Sequence, residues 1–187
     1  MAYIKEYFDP LPFDMSLTPK GILVGTWSGE KDDAPRALTA HADTLGAMVS
    51  EIKSNGRLRL SQLGGWQWSS VEGEGVTIFT GAGETYRGSF MPTTASVHAH
   101  TRKERDAAKD DTNMEVRIDA HTKSAKETRN LGIRIGDFVA FDPRVELSDT
   151  GFIRSRHLDD KASIATIYGA LEAINRAGLQ PRQDTPI

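Results

Sequence analysis

A histidine and an aspartate separated by one residue, His41 and Asp43, have the types and spacing for metal chemistry. The mostly apolar residues Ala37–His41 predict a strand that leads into the pair. Side chains two residues apart in a strand point to the same face. The Asp43 carboxylate could then accept the imidazole N–H of His41, fix its tautomer and leave the other ring nitrogen free for a metal ion. The same spacing also allows a purely structural hydrogen bond at a strand end.

A second pair of candidate residues, Asp159 and Asp160, directly precedes a predicted helix over residues 161–177. The helix is predicted because apolar residues such as Ile164 and Leu171 share one stripe. Aspartate is a preferred residue at a helix N-terminus, where it caps free N–H groups and suits the helix dipole. Alternatively, one carboxylate could bridge two divalent cations with its two oxygen atoms. The residues alone leave both explanations open.

The remaining histidines have simpler explanations than metal binding. His98 and His100 are two apart in a predicted strand over residues 95–100 and could bind a metal as a pair. A position facing solvent or a subunit contact is the simpler prediction for that pair. His121 and His157 are isolated in the sequence, so we predict no metal site at either.

The composition limits the class of protein and the residue types that could bind a metal. The chain has 187 residues, 38% of them apolar, with a net charge of −3 and a sequence pI of about 6.0. These values predict a folded globular protein without electrostatic attraction to nucleic acid or to an anionic membrane. Because the chain contains no cysteine, any metal must be held by His, Asp and Glu. No apolar run approaches the ~20 residues of a membrane span, and the N-terminus lacks a signal-peptide core, so we expect a cytoplasmic location.

The order of the predicted elements indicates an α/β protein with an inserted β-rich domain. Residues 1–66 combine a short helix, strands and a hairpin centred on Asn55-Gly56. Residues 67–150 contain short segments separated by glycines and turn residues, which is typical of a small β-rich unit. Residues 151–187 return to α/β character with the long helix. We therefore predict a first part of the α/β domain at 1–66, the insertion at 67–150 and the resumed domain at 151–187.

Several motifs together resemble family 42 of the metallopeptidases, which includes glutamyl aminopeptidase, the tetrahedral aminopeptidases and proteins labelled CelM. The motifs are His41-Ala-Asp43-Thr-Leu-Gly-Ala-Met-Val, the Asn55-Gly56 hairpin, Gly64-Gly65-Trp66, Gly136-Asp137-Phe-Val and Ser155-Arg-His-Leu-Asp-Asp-Lys161. They cover nearly the whole chain in the family's order. The Asp-Thr-Leu-Gly segment is most similar to the branch associated with bacterial osmoprotectant dipeptide gene clusters.

The resemblance implies a fold, a cofactor and residue roles. The implied fold is a phosphorylase/hydrolase-like α/β catalytic domain with an inserted, β-barrel-like dimerisation domain, in homo-oligomers from dimers to dodecamers. His41 would be a metal ligand, Asp43 the catalytic carboxylate that orients it, and Asp159 the bridging ligand of two divalent ions, Zn or Co. The Asp159–Asp160 peptide bond is often cis in such sites. The implied activity is hydrolysis of N-terminal residues from peptide substrates.

Motifs that the family places after the long helix are not found in this sequence. They are a Glu-Glu pair that supplies the general base and a metal ligand, a further Asp or Glu ligand, and a final His. We therefore expect a fragment that carries part of the active site and is inactive alone. Two other functions stay open: a non-catalytic self-association module, and a related metal-dependent deacylase or carboxypeptidase acting on a modified dipeptide.

Overall fold

The computed structural model describes residues 1–96 and 98–187. Its elements in chain order are α1 (Ala2–Phe8), β1 (Met15–Leu17), β2 (Leu23–Trp27), β3 (Gly46–Ile52), β4 (Leu58–Leu63), a 3₁₀ turn (Trp68–Val71), β5 (Gly75–Phe79), β6 (Thr85–Pro92), α2 (Arg102–Arg105), β7 (Met114–Ile118), α3 (Ala125–Asn130), β8 (Phe138–Phe141), β9 (Glu146–Leu147), β10 (Ile153–Arg154), α4 (Lys161–Arg176) and β11 (Thr185–Pro186). The chain divides into two compact units, which we call the α/β unit (Met1–Asp43 and His157–Ile187) and the barrel unit (Thr44–Arg156). Among the described helices, none is long and apolar enough to cross a membrane.

The α/β unit combines helices α1 and α4 with a small antiparallel sheet of order β1-β2-β11. Apolar side chains from each part share one core: Phe8 of α1, Met15 of β1, Trp27 of β2 and Leu171 of α4 are buried together. Helix α4 contributes because its apolar residues recur three or four apart and so form one stripe along its length.

The barrel unit is built on a closed antiparallel barrel of strand order β3-β4-β7-β6-β5-β8. Alternate residues of each strand point inward, so that Leu58 and Leu60 of β4 are buried in the barrel core. Phe90 lies in this core and its ring contacts those of Trp66 and Phe141, with centroids 6.5 and 5.5 Å away. The α/β architecture with a barrel-like insertion is therefore the one predicted from the sequence.

The unit boundaries lie at Thr44 and His157, whereas the sequence placed the insertion at residues 67–150. The difference comes from the β3–β4 hairpin, which the sequence analysis includes in the first part of the α/β domain. In the structure Ala47 pairs with Val139 of β8 and Leu58 pairs with Val116 of β7, so the hairpin completes the barrel. Its half-buried alternation predicts two strands but does not indicate which other strands they pair with.

The predicted strand over Ala37–His41 is wrong. These residues have no strand conformation and are exposed. The N–H groups of Arg36 and Leu38 donate to the carbonyls of Asp184 and Pro186, at 3.0 and 2.8 Å, which places the segment beside the two-residue strand β11. A neighbouring strand of two residues offers too few backbone hydrogen bonds to hold the segment as a strand. The apolar segment therefore stays irregular and exposed.

Candidate metal site

The His41 imidazole lies between two carboxylates, all within the α/β unit. Its Nδ1 atom is 3.2 Å from Oδ1 of Asp43, and its Nε2 atom is 3.0 Å from Oδ1 of Asp159. The structure thus brings together the three residues that the sequence singled out. His41 and Asp43 come together without a strand, because two residues of spacing in an irregular segment also allows their side chains to meet.

The start of helix α4 places the other carboxylates. Asp160 occupies the N-cap position of α4, and its backbone carbonyl accepts hydrogen bonds from the N–H groups of Ser163 and Ile164, at 3.1 and 3.3 Å. The preceding peptide bond, between Asp159 and Asp160, is cis, as the resemblance implies. The helix start thus presents Asp159 toward the His41 imidazole, while Asp160 takes the capping position.

Asp160 is a candidate residue to which the family resemblance gives no role of its own. The pKa of its carboxyl is lowered, chiefly by hydrogen bonding from the Ser163 hydroxyl; desolvation opposes this, and the backbone N–H and the charge of His41 reinforce it. Its negative charge therefore lies beside the segment that carries the imidazole. No sequence pattern indicates this proximity, because it depends on how residues 40–43 pass the helix start.

The three side chains are accessible from solvent. The exposed fractions are 53% for His41, 86% for Asp43 and 92% for Asp159. A cation held here would therefore keep open positions for water or for a further ligand.

The separation of His41 and Asp159 fits two donors of one metal ion. Zinc binds histidine nitrogen and carboxylate oxygen at about 2.0–2.2 Å, so two such donors in tetrahedral geometry lie roughly 3.3 Å apart. The observed 3.0 Å between Nε2 and Oδ1 is close to this value and also suits a direct hydrogen bond. Asp43 faces the opposite ring nitrogen, where a carboxylate fixes the tautomer that leaves Nε2 free to bind.

The donor set is small. Within residues 1–96 and 98–187, no group of three or more His, Cys, Asp or Glu side chains is placed to hold a metal ion. A catalytic zinc ion usually has three protein ligands and an open position. His41 and Asp159 are therefore fewer donors than such a site needs.

The alternative pair His98 and His100 lies in a turn, and the predicted strand over residues 95–100 is absent from its described part. Val97, which directly precedes the pair, lies outside the described residues. The described residues around the pair form no metal-binding group. The isolated His121 and His157 are likewise in no such group among the residues that the structure describes.

An imidazole between two carboxylates, at the start of a helix in an α/β unit that a β-barrel interrupts, suits a metal-dependent hydrolase. The model of the M42 glutamyl aminopeptidase family matches residues 21–185. Because this match covers most of the chain, the chain belongs to that family, and the predicted resemblance is confirmed. Peptidases of this family are metal-dependent in general.

Individual relatives agree with this assignment. The chain is 45% identical over 178 residues to "Putative aminopeptidase YhfE" of Bacillus subtilis (strain 168), covering 95% of this chain and 51% of that protein. Among solved structures, aminopeptidase APDkam598 of the archaeon Desulfurococcus kamchatkensis matches with a TM-score of 0.83 and 22% identity, over 99% of this chain and 48% of that one. The TET1 peptidase of Pyrococcus horikoshii matches with a TM-score of 0.78 and 18% identity, over 100% of this chain and 53% of that one. The chain thus spans about half the length of these relatives.

Proposed function

We propose that this chain carries part of the active site of a metal-dependent aminopeptidase, which hydrolyses N-terminal residues from peptides. The observation that carries the proposal is the His41 imidazole placed between Asp43 and Asp159, in a chain of the M42 family. The name of the Bacillus relative supports the same activity. The cytoplasmic location and the absence of nucleic acid partners stay predictions.

Each side chain has a distinct role in this proposal. His41 binds a divalent ion, Zn or Co, through Nε2. Asp43 accepts a hydrogen bond from the Nδ1–H group, which fixes the tautomer and the orientation of the imidazole. Asp159 would hold the same ion together with His41, and its carboxylate could also serve a second ion, which would make the site dinuclear. A bound divalent ion supplies a Lewis acid and a water of lowered pKa.

The chain alone is proposed to be inactive. Two donors, His41 and Asp159, leave an ion with fewer protein ligands than a catalytic site needs. We expect no hydrolysis of aminoacyl-anilide substrates by the 187-residue chain with added Zn²⁺ or Co²⁺. Metal-dependent turnover that His41→Ala abolishes would show that this chain is sufficient for catalysis.

The reaction itself is tested in a longer polypeptide that contains this chain. Peptides with free, N-acetylated and C-amidated ends should be cleaved only where the N-terminus is free. We expect His41→Ala to abolish turnover and Asp43→Asn to lower it roughly 10- to 100-fold, because Asp43 acts through the imidazole. Preference for blocked N-termini would reject the aminopeptidase assignment in favour of the deacylase alternative.

A specific observation favours self-association as a further role of the barrel unit. Phe79 of β5 and Phe138 of β8 are direct cross-strand partners, and both point outward with 45% and 56% exposure. Adjacent exposed aromatic rings are typical of protein interfaces. The TET1 peptidase of Pyrococcus horikoshii is described as assembling into a tetrahedron or a large octahedral shell. We propose that this chain forms homo-oligomers through the barrel unit.

A further inference from the structure

A cavity of about 770 Å³ is lined by residues of the barrel unit, and none of the candidate metal residues is among them. The turn of the β3–β4 hairpin forms one wall, and the end of β7 with the loop before α3 forms the other. The charged and polar side chains among its lining residues are Asn55, Arg57, Arg117, Asp119, His121, Thr122 and Lys123. Its volume is in the range of small-molecule sites, roughly 300–1,000 Å³.

Three basic side chains in this cavity have no partner among the residues that the structure describes. In the part of the chain that the structure describes, the side chains of Arg117, His121 and Lys123 form neither a hydrogen bond nor an ion pair. Arginine and lysine side chains in a folded protein ordinarily meet water, an acid or a bound anion. Two permanent cations and one imidazole are thus available to a ligand.

The remaining charges around the cavity leave it positive. Arg57 and Lys53 share a single carboxylate, that of the buried Glu115, so this cluster carries one positive charge in excess. Asp119 is the acidic lining residue, and its charge also acts on Arg87, whose pKa it helps to raise. The local positive charge contrasts with the net charge of −3 for the whole chain.

We infer that this cavity binds a small oxyanion with at least two negative charges, of the phosphate or phosphate-ester type. The planar guanidinium group of Arg117 can donate two parallel hydrogen bonds to such an anion, and Lys123 adds a point charge from the neighbouring loop. Arg57 keeps donors beyond those that contact Glu115. The cavity is larger than an inorganic phosphate ion, so it has room for the organic part of a phosphate ester.

The test is isothermal titration calorimetry of the whole chain with inorganic phosphate, glycerol phosphate and, at matched ionic strength, chloride. Arg117→Gln and Lys123→Gln remove the charges while keeping most of each side chain. Lys126→Gln is the matched control, because Lys126 is a lysine three residues further along that does not line the cavity. Arg57 is left unchanged, since it contacts the buried Glu115.

We expect saturable binding of both phosphates but not of chloride. Arg117→Gln and Lys123→Gln should each weaken phosphate binding about tenfold, because a hydrogen bond to a charged group contributes about this factor to an affinity. Lys126→Gln should leave the affinity unchanged. In the unaltered chain, phosphate should shift the amide NMR signals of residues 120–123. The inference is overturned if no saturable binding occurs, or if all three variants weaken it equally, which would indicate an adventitious ion only.

Discussion

At the scale of single residues, Glu115 is a buried carboxylate of the barrel unit that pairs with two cations. Its side chain is 3% exposed and contacts two cations, Lys53 at 2.6 Å and Arg57. Burial alone would raise the pKa of this carboxyl, but hydrogen bonds from Lys53 and Arg57, together with their charges, outweigh burial and lower it. The charged form of Glu115 therefore stabilises the folded state.

Replacing Glu115 by Gln should destabilise the chain by about 2 kcal/mol, because two cations lose their common counter-charge. Since the folded-state pKa is lowered, the contribution of Glu115 is complete above the ordinary glutamate pKa and is lost as the pH falls through the lowered value. As the pH falls from neutral to acidic, the free energy of unfolding in urea should decrease less for Glu115→Gln than for the unaltered chain. Glu51→Gln, an exposed control, should follow the unaltered chain. Equal acid losses in all three proteins would contradict this account.

Residue-scale prediction from sequence succeeded where the partners are near in the chain. His41 and Asp43 meet as predicted, although the strand on which that prediction rested does not form and their roles stay predictions. Glu74 shows the limit: it lies in a glycine-rich turn sequence, yet it is buried and pairs at 2.8 Å with both Arg144 and Arg156. Partners so distant in sequence leave no local pattern, because their meeting depends on the complete fold.

At the scale of elements, the β3–β4 hairpin has a strong local sequence signal, the Asn55-Gly56 turn. Gly56 of its Asn-Gly turn has a φ of +85°, which residues with a side chain rarely adopt. The turn also fits closely against α3: the Thr128 hydroxyl donates to the Gly56 carbonyl at 2.7 Å. A Cβ atom at position 56 would lie 3.0 Å from that hydroxyl oxygen and 3.2 Å from the Ser124 nitrogen.

Gly56→Ala should therefore destabilise the barrel unit by more than its backbone strain alone. Gly73→Ala is a matched control: Gly73 has a similar φ of +81°, but a Cβ atom there would meet no neighbouring atom within 4 Å. The free energy of unfolding, measured in urea, should fall by about 1 kcal/mol for Gly73→Ala and by about 2 kcal/mol or more for Gly56→Ala. Equal losses would show that contact with α3 adds nothing to the requirement for glycine.

The prediction of a strand is wrong where the residues are apolar but the neighbouring strand is too short to pair with them. The segment Ala37–His41 has the composition of an interior strand, yet among the described residues the strand beside it is the two-residue β11. By contrast, the predicted helix over residues 161–177 corresponds closely to α4 (Lys161–Arg176), because its stripe meets the core around Leu171. Local pattern thus predicts a helix better than it predicts an interior strand, whose hydrogen bonds all depend on other segments.

At the scale of the whole molecule, the proposed self-association of the barrel unit predicts a mass that depends on Phe79 and Phe138. Sedimentation equilibrium should find the unaltered chain as a dimer or larger assembly and Phe138→Ser as a monomer. Phe152→Ser is the control, because Phe152 is 76% exposed but lies outside this aromatic pair. A monomeric unaltered chain, or equal dissociation of both variants, would contradict the proposed interface.

The organisation of the whole chain was predictable in kind but not at its boundaries. The change near Trp66 to short segments separated by glycines and turn residues indicates an inserted domain, and the structure shows a separate barrel unit. The barrel unit begins at Thr44, directly after Asp43, so the candidate metal residues His41 and Asp159 lie on either side of the inserted segment in sequence. The α/β unit brings them together only because both of its chain segments share one core.

The claim that His41 and Asp159 hold one metal ion can be tested most directly by ¹⁵N NMR of the histidine rings during a zinc titration. We predict that Zn²⁺ shifts the Nε2 signal of His41 to the metal-bound range while Nδ1 keeps its proton and donates it in a hydrogen bond to Asp43. The shift should be lost in Asp159→Asn and retained in His98→Ala. A zinc response at His98 and His100 without one at His41, or binding through Nδ1 of His41, would contradict the proposed site.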